Sequence, residues 1–328
     1  MRCWQQPALG PLVGLALLAG LGLLCACQAR SAEPLVLAGK IPLQEDAPNR
    51  VTLDALRFEA GFQLGAADRR FGGLSGLWLA ADGHELVMVS DRGTVWRATL
   101  EHEGDRLIGF ADWQAAALGR VAGDPGGRID AEALADDGAG SLIVAVEGAL
   151  PLRRIARGDP ASAEPLPAAP ELDEAGAGNA GIEALASLAD GALLALSEGI
   201  FAAPGQLAAW RIENGQVTQL RYLVSDGFVP TGADRLDDTI YIVERRFSLL
   251  DGGFASRIVA LDLEQVRQSG PLRPRPLAQL GRPAISENFE GIAARRSADG
   301  RPLLYLVSDD NFLPLQRTLL LQFSLAGP

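Results

Sequence analysis

Apolar and polar positions alternate in short runs along most of this chain, and five of those runs stop at an acidic residue. They are ELVMVSDRG (85–93), SLIVAVEG (141–148), ALLALSEG (192–199), TIYIVERR (239–246) and LLYLVSDDN (303–311). Each has strand length, is rich in aliphatic residues, and is bounded by Gly, Asp or Asn. The closing acids are Asp91, Glu147, Glu198, Glu244 and Asp309. Upstream of each acid lies a second recurring phrase: GGLSGLWLAADG (72–83), IDAEALADDG (129–138), GIEALASLADG (181–191), VPTGADRLDD (229–238) and NFEGIAARRSADG (288–300). Paired strands of this size cannot bury their faces alone, so successive copies must pack on one another. The spacing between closing acids is roughly fifty residues, close to the period of propeller blades. The pattern predicts an all-β fold, a single β-propeller of five to six four-stranded blades with almost no helix.

Such a ring needs closing. The segments 35–43 and 50–64 read as one or two strands, and the final copy supplies strands at 303–308 and 318–325. An N-terminal strand lent to the last blade removes two exposed edges, which makes 35–64 the natural donor. Five blades are counted directly, and a sixth follows if both N-terminal strands build one. The stretch 156–181 is the most linker-like, yet it falls inside the repeat series and reads as an outer strand with a long surface loop. Residues 35–328 are therefore expected to form one propeller domain.

The first 27 residues carry a different signal. Arg2 precedes an apolar run from Leu9 to Leu24, which fits a secretory signal better than a membrane span. The run ends Leu24-Cys25-Ala26-Cys27-Gln28, resembling a bacterial lipobox with Cys27 as the acylated residue, although Cys25 is unusual at its position. Cleavage near Ala29 or Ala32 is the alternative and would leave a soluble periplasmic protein. Two acyl chains on Cys27 anchor durably where one cannot. Gln28 is not the aspartate that retains such proteins at the inner membrane, so the outer membrane is expected, with 28–34 as a tether. All three cysteines lie in this segment, leaving none for disulfides in the domain.

Composition narrows the partners. With 29 Lys and Arg against 41 Asp and Glu, the net charge is −12, which argues against nucleic acid and anionic membrane surfaces. Contact with the membrane is expected through the lipid anchor alone, and the chain is expected to be monomeric. The 38 Gly and 20 Pro suit many tight turns.

The candidate chemistry is carboxylate chemistry. In a propeller the first strand of each blade lines the central channel, which puts Ser75, Glu132, Glu183, Thr231 and Glu290 at equivalent inner positions. Asp130 and Glu132 share a strand face, as do Asn288 and Glu290. The acids closing the second strands should point toward the same space. Two unit charges about 6 Å apart repel by roughly 3 kcal/mol at an effective dielectric near 20. Several such groups need a neutralising cation, either Arg or a hard divalent ion, and oxygen-only ligands favour Ca²⁺. The candidate ligands are Asp91, Glu132, Glu183, Glu290 and Asp309. Glu183 is the candidate general base, and Arg92 and Arg245 are candidates to hold an anionic substrate group. The plainer alternative is structural: each acid caps a strand end or pairs with an Arg, and Arg92, Arg245 and Arg246 adjoin Asp91 and Glu244.

Other mechanisms lack their residues. GGLSGL around Ser75 is no nucleophile elbow, because Leu77 replaces the needed glycine. With only His84 and His102 in the chain, a Ser–His–Asp triad is not expected. Zinc spacing, a phosphate-binding glycine loop and a dinucleotide fingerprint are missing from the sequence.

FGGLSGLWLAADGHELVMVSDRG (71–93) together with ENFEGIAARRSADGRPLLYLVSDDNF (287–312) resembles the bacterial family described as esterase-like activity of phytase. That resemblance covers 35–328 and implies a secreted or lipid-anchored propeller with phosphoesterase or esterase activity. The Glu-Gly pair at 290–291 is also similar to the calcium-binding glutamate of gluconolactonase-type and paraoxonase-type propellers. The Asp-Ala-Asp-Asp-Pro and Asn-Asn-Val-Asp phrases of true β-propeller phytases are missing, so phytate itself is not the expected substrate. Three readings follow: a Ca²⁺-dependent hydrolase of small phosphate esters, carboxyl esters or lactones; a non-catalytic binding propeller; and a scaffold subunit of the cell envelope.

Overall fold

Five antiparallel sheets follow one another along the chain as the sequence repeats do. The computed structural model describes residues 34–326, apart from 123, 125–127, 149, 167–171, 173–180, 251 and 269. The signal segment, Cys27 and most of the tether lie outside the described residues, as does most of the loop expected within 156–181.

Blade 1 comprises Leu74–Leu79, Glu85–Ser90, Thr94–Glu103 and Arg106–Ala117. Blade 2 comprises Ala131–Asp136, Ser141–Val146, Leu152–Ala156 and Asp159–Pro165. Blade 3 runs Ile182–Ser187, Leu193–Ala203, Gln206–Glu213 and Gln216–Leu223, with the two-residue strand Pro271–Leu272 added in parallel. Blade 4 runs Val229–Leu236, Thr239–Ser248, Gly253–Asp262 and Arg275–Leu280, with the short helix Leu263–Arg267 before its outer strand. In blade 5, Asn288–Arg296, Pro302–Asp309 and Thr318–Leu325 are completed by Leu56–Ala66 and then Val36–Lys40. The blade number is therefore five. Both N-terminal strands enter the last blade instead of founding a sixth, and Leu56–Ala66 pairs with Thr318–Leu325 across eight register positions.

The core is divided among the seams between blades. Trp78 and Val87 of blade 1 pack with Leu142 and Val144 of blade 2, and Ile143 and Ala145 of blade 2 pack with Leu185 and Trp210 of blade 3. Leu194 and Leu196 meet Ile240 and Val259 between blades 3 and 4. Val243 and Ile258 meet Leu304 and Phe323 between blades 4 and 5, and Tyr305 and Val307 meet Leu77 and Met88 where the ring closes. Every strand of these seams is thus buried on two faces, which accounts for the continuous apolar runs that end in an acid.

Small residues let five inner strands meet around one axis. The residue after each candidate channel position is Gly76, Ala133, Ala184, Gly232 or Gly291. A Cβ on Gly232 would stand 2.3 Å from the Glu290 carbonyl oxygen, and one on Gly291 would stand 2.8 Å from the Leu77 Cβ. The channel is almost shut at this level, with a void of about 10 Å³ lined in part by Gly76, Ala133, Gly232 and Gly291.

Candidate functional site

Every inner strand is bulged at the same place. The pairing register slips between Leu74 and Gly76, Ala131 and Ala133, Ile182 and Ala184, Pro230 and Gly232, and Phe289 and Gly291. The unpaired residues are Ser75, Glu132, Glu183, Thr231 and Glu290, the five positions that the repeat made equivalent. A bulge re-aims one side chain while the small residue beside it keeps the strands close. Three of the five are glutamates.

Register also sorts the second-strand acids. Asp309 pairs with Asn288, and Arg245 pairs with Val229 at the equivalent point of blade 4. The amide of Asp91 bonds the Gly73 carbonyl and that of Glu147 bonds the Asp130 carbonyl, at the same level. The residues facing the mouth are therefore Asp91, Glu147, Glu198, Arg245 and Asp309. Glu244 sits one residue off this ring, contrary to its expected equivalence with the other acids. It is fully buried, ion-paired with Arg257, and accepts a bond of 2.8 Å from the Tyr222 hydroxyl.

Arg245 organises half of the mouth. Its Nη1 donates to Asn288 Oδ1 at 2.6 Å and to Glu290 Oε1 at 2.7 Å, and its Nη2 donates to Glu198 Oε2 at 2.9 Å. Asn288 Nδ2 donates to Glu290 Oε1 at 2.8 Å and, at 3.4 Å, to Asp309 Oδ2. Asp309 Oδ1 accepts from the Asn311 amide at 2.6 Å. Both terminal nitrogens of Arg245 are thus engaged with protein groups, so the structure places it as a neutralising residue for these carboxylates. Arg92 stands differently: its guanidinium lies 3.1 Å from the centroid of the Phe312 ring, and it reaches the neighbouring Asp91 only as a nearby charge.

One guanidinium shared among several half-buried acids does not offset their loss of solvent. Burial pushes Glu183 up to about 8, with Glu198 and Glu290 adding to the shift and Arg245 opposing it. Burial likewise raises Asp309 to about 8, helped by Glu290. Glu290 is raised by burial in spite of Arg245 and Asn288. Glu132 is held well above the carboxylate range by burial, then by Glu183 and Asp130. Asp91 rises to about 6 through burial and Asp130, against the pull of Arg92.

The blade 1–2 side is the unbalanced one. Asp130 lies beside both Glu132 and Glu147 and, after burial, helps to raise both of their carboxyls. Asp91 Oδ1 and Asp130 Oδ1 are buried without a partner. Gly73, at φ +58°, makes room here, because a Cβ would stand 2.3 Å from Asp91 Oδ1. The oxygen-only donors and the two orphaned oxygens fit a hard cation. In this conformation no group of three or more His, Cys, Asp or Glu among the described residues is arranged to hold a metal ion, so side chains would have to turn to converge.

The sequence puts Asp130 and Asn288 on the faces of Glu132 and Glu290, but it offers Arg245 to a substrate and does not show Asp310 as a tie to blade 1. Asp310 ties blade 5 to blade 1, its carboxylate accepting from the Gly73 and Phe312 amides and the Thr318 hydroxyl, each at 3.0 Å. The signal for Arg245 was the first arginine of VERR (243–246), visible only once register was known.

His84 and His102 belong elsewhere. Their rings meet edge to face at 5.9 Å, and His102 lies 3.3 Å from the Tyr305 hydroxyl, with its pKa lowered to about 4 chiefly by burial. At the opposite end of the channel a cavity of about 860 Å³ takes residues from all five blades, among them Trp78, Asp136, Ser187, Asp234 and Arg295. Its polar groups are hydrogen-bonded: Asp234 accepts from the Arg235 and Ala294 amides, Arg235 Nε donates to the Ser187 carbonyl, and Asp136 accepts from the Trp78 indole.

A five-bladed propeller with carboxylates crowded at one mouth, and with Arg245 ion-paired among them, is the class this geometry defines. The chain belongs to the Phytase-like family, described as esterase-like activity of phytase, whose profile matches residues 69–312. No curated protein matched the chain. Solved structures similar to it include a luciferin-regenerating enzyme, at 10% identity and TM-score 0.43 over 78% of this chain and 93% of that one. Virginiamycin B lyase from Staphylococcus aureus, crystallised with quinupristin in a catalytically inactive form, shares 10% identity at TM-score 0.40 over 84% of this chain and 81% of that one. The β-propeller domain of Myceliophteria thermophila Cps50 (Swd1) shares 11% at TM-score 0.39 over 87% and 99%. Likenesses of this size carry nothing about chemistry.

Proposed function

We propose that this propeller is a cell-envelope hydrolase of small phosphate esters, carboxyl esters or lactones, dependent on a divalent cation, with Ca²⁺ as the ion. Membership of a family described by esterase-like activity supports the reaction class. The observation that carries the reading is the uneven pairing at the mouth: Arg245 is ion-paired with Glu198 and Glu290, while Asp91, Asp130 and Glu132 form no ion pair among the described residues and Asp91 feels Arg92 and Arg128 only as neighbouring charges.

Asp91, Glu132, Glu183, Glu290 and Asp309 would hold the ion, with Asp130 beside them. A bound divalent ion supplies polarisation of an ester oxygen and a lowered pKa for water. Glu183 accepts the proton of the attacking water, a role its raised pKa suits near neutral pH. Arg92, stacked on Phe312, offers its free edge to an anionic group of the substrate. The narrow void below the bulges keeps the reacting ester at the mouth.

Acylation of Cys27 would fix the protein at the outer membrane, its seven-residue tether (28–34) leading into the ring. Cys27→Ser should then release the protein into the soluble fraction or block its processing. The test of activity is a panel of esters, lactones and phosphoesters assayed with Ca²⁺ and with chelator, against Glu183→Gln. Hydrolysis lost with chelator and with the variant supports the reading; hydrolysis indifferent to both refutes it.

A second reading is favoured by the lack of a preformed metal-ligating group among the described residues. In it the propeller is a non-catalytic binding or scaffold module and the mouth carboxylates share protons. Silence across the panel, together with unchanged stability in Ca²⁺, selects it.

A further inference from the structure

Large apolar side chains are left in water almost entirely at one end of the ring. Nine are exposed among the described residues, and only Ile108, on the outer strand of blade 1, lies toward the other end. Phe201 sits near the tip of the long blade 3 hairpin, beyond Glu198. Phe247, Leu249 and Leu250 form the tip of the blade 4 hairpin, beyond Arg245, and Leu313 and Leu315 lie in the blade 5 loop that follows Asp309. These segments all continue second strands past the acidic mouth, so they project from the mouth face. Leu250 is 99% and Leu315 96% exposed, more than scattered surface leucines would need to be.

The chain also arrives at this face. Val36 pairs with Ala66, which leads directly to the start of blade 1 at Leu74, so the first described residues stand at the mouth end. Leu35 and Leu37, also exposed, mark the point of entry. Cys27 precedes residue 35 by a tether, 28–34, that spans at most about 25 Å when extended. A protein held by acyl chains at that cysteine has its mouth end nearest the bilayer.

We infer that the mouth face seats on the lipid surface, with the tips of blades 3, 4 and 5 and the entry strand dipping into the headgroup layer of an electrically neutral membrane. The inference rests on the acylation of Cys27 proposed above. Electrostatic attraction is not the driving force, because a chain of net charge −12 is repelled by anionic lipid. Burial of the apolar tips supplements the anchor, as an apolar face supplements a lipid chain in other interfacial proteins. The carboxylate mouth then opens toward the bilayer, where esters that partition into the interface are most concentrated.

The test uses the acylated full-length protein. All native cysteines lie at or before position 27, so Leu250→Cys, Leu315→Cys and Glu103→Cys each add a single labelling site in the domain. Glu103 is exposed at the blade 1 hairpin of the opposite face. Each variant carries an environment-sensitive NBD label, is reconstituted on phosphatidylcholine vesicles and is floated through a density gradient. The inference predicts that labels at 250 and 315 brighten several-fold, shift to the blue and are quenched by nitroxide lipids, while the label at 103 behaves as in water. Flotation with water-like emission at all three positions overturns it and leaves the anchor standing. Failure to float overturns the anchor and the inference together.

Discussion

Blades 2 and 4 put opposite charges in one place. At the end of the second strand blade 2 carries Glu147 and blade 4 carries Arg245, and on the inner-strand bulge blade 2 has Glu132 where blade 4 has Thr231. Around blade 4 the acids are tied: Glu198 and Glu290 to Arg245, Glu290 and Asp309 to Asn288. Around blade 2 they lean on each other, and two of their oxygens have no partner at all. Symmetry sets where side chains point, and one departure from it decides which half of the mouth can accept a cation. Fold stability is served by the neutralised half; function, in our reading, is served by the other.

The largest loss is expected just behind the neutralised half, where Glu244 can be stripped of its partner. Arg257 and Glu244 form a pair whose side chains are 7% and 0% exposed, so Arg257→Ala leaves a buried carboxylate with only the Tyr222 hydroxyl. Denaturant unfolding should record a loss of about 3–5 kcal/mol, the usual result of orphaning a buried charge. A loss under 1 kcal/mol would mean the pair is not buried as described.

Arg245→Gln should cost less, about 2–3 kcal/mol, since its acids are partly solvated and can take up protons. It should also make blade 4 resemble blade 2, so that millimolar Ca²⁺ recovers more stability in the variant than in the parent. Equal recovery would show that Arg245 and a cation do not compete for the same carboxylates.

How much of this was readable beforehand can be said residue by residue. The blades were legible because strand length, turn residues and the paired phrases all repeat, and closure by 35–64 followed from the need to cover an edge. Ser75, Glu132, Glu183, Thr231 and Glu290 could be aligned by phrase. That they sit on bulges could not, because a bulge is a statement about the partner strand's register. The same blindness put Glu244 on the ring in place of Arg245, one residue away. Asp310 was legible as an acid but not as the clasp between the last blade and Gly73, a contact between residues more than two hundred positions apart.

A smaller effect tests the packing that brings the bulges together. Gly232→Ala drives a Cβ against the Glu290 carbonyl, which cannot move without disturbing both blades. Overpacking of this kind costs about 1–3 kcal/mol. Gly39→Ala, with nothing within 4 Å of its Cβ, should be close to neutral and serves as the control.

The slope of stability with pH is gentler still. Burial holds Glu183 and Asp309 up to about 8 and Asp91 up to about 6, above unfolded carboxylate values near 4. Over that window the folded chain keeps protons that the unfolded chain has released, so stability falls as pH rises. In chelator, Tm should drift downward from about pH 5 through about pH 8, and Glu183→Gln should flatten part of the slope. A Tm that climbs across the same window would contradict the burial of these acids.

The most direct test is Ca²⁺ binding at pH 8, where the mouth acids are more ionised than at neutral pH. Isothermal titration, read beside Tm, should give one site per chain, and at a hundredfold excess over Kd the stability should rise by about 2.7 kcal/mol. Glu132→Gln should abolish the binding heat, while Glu103→Gln on the far face should leave it unchanged. Binding that survives Glu132→Gln, or no binding at all in the parent protein, would contradict the claim that the unbalanced half of the mouth is a cation site.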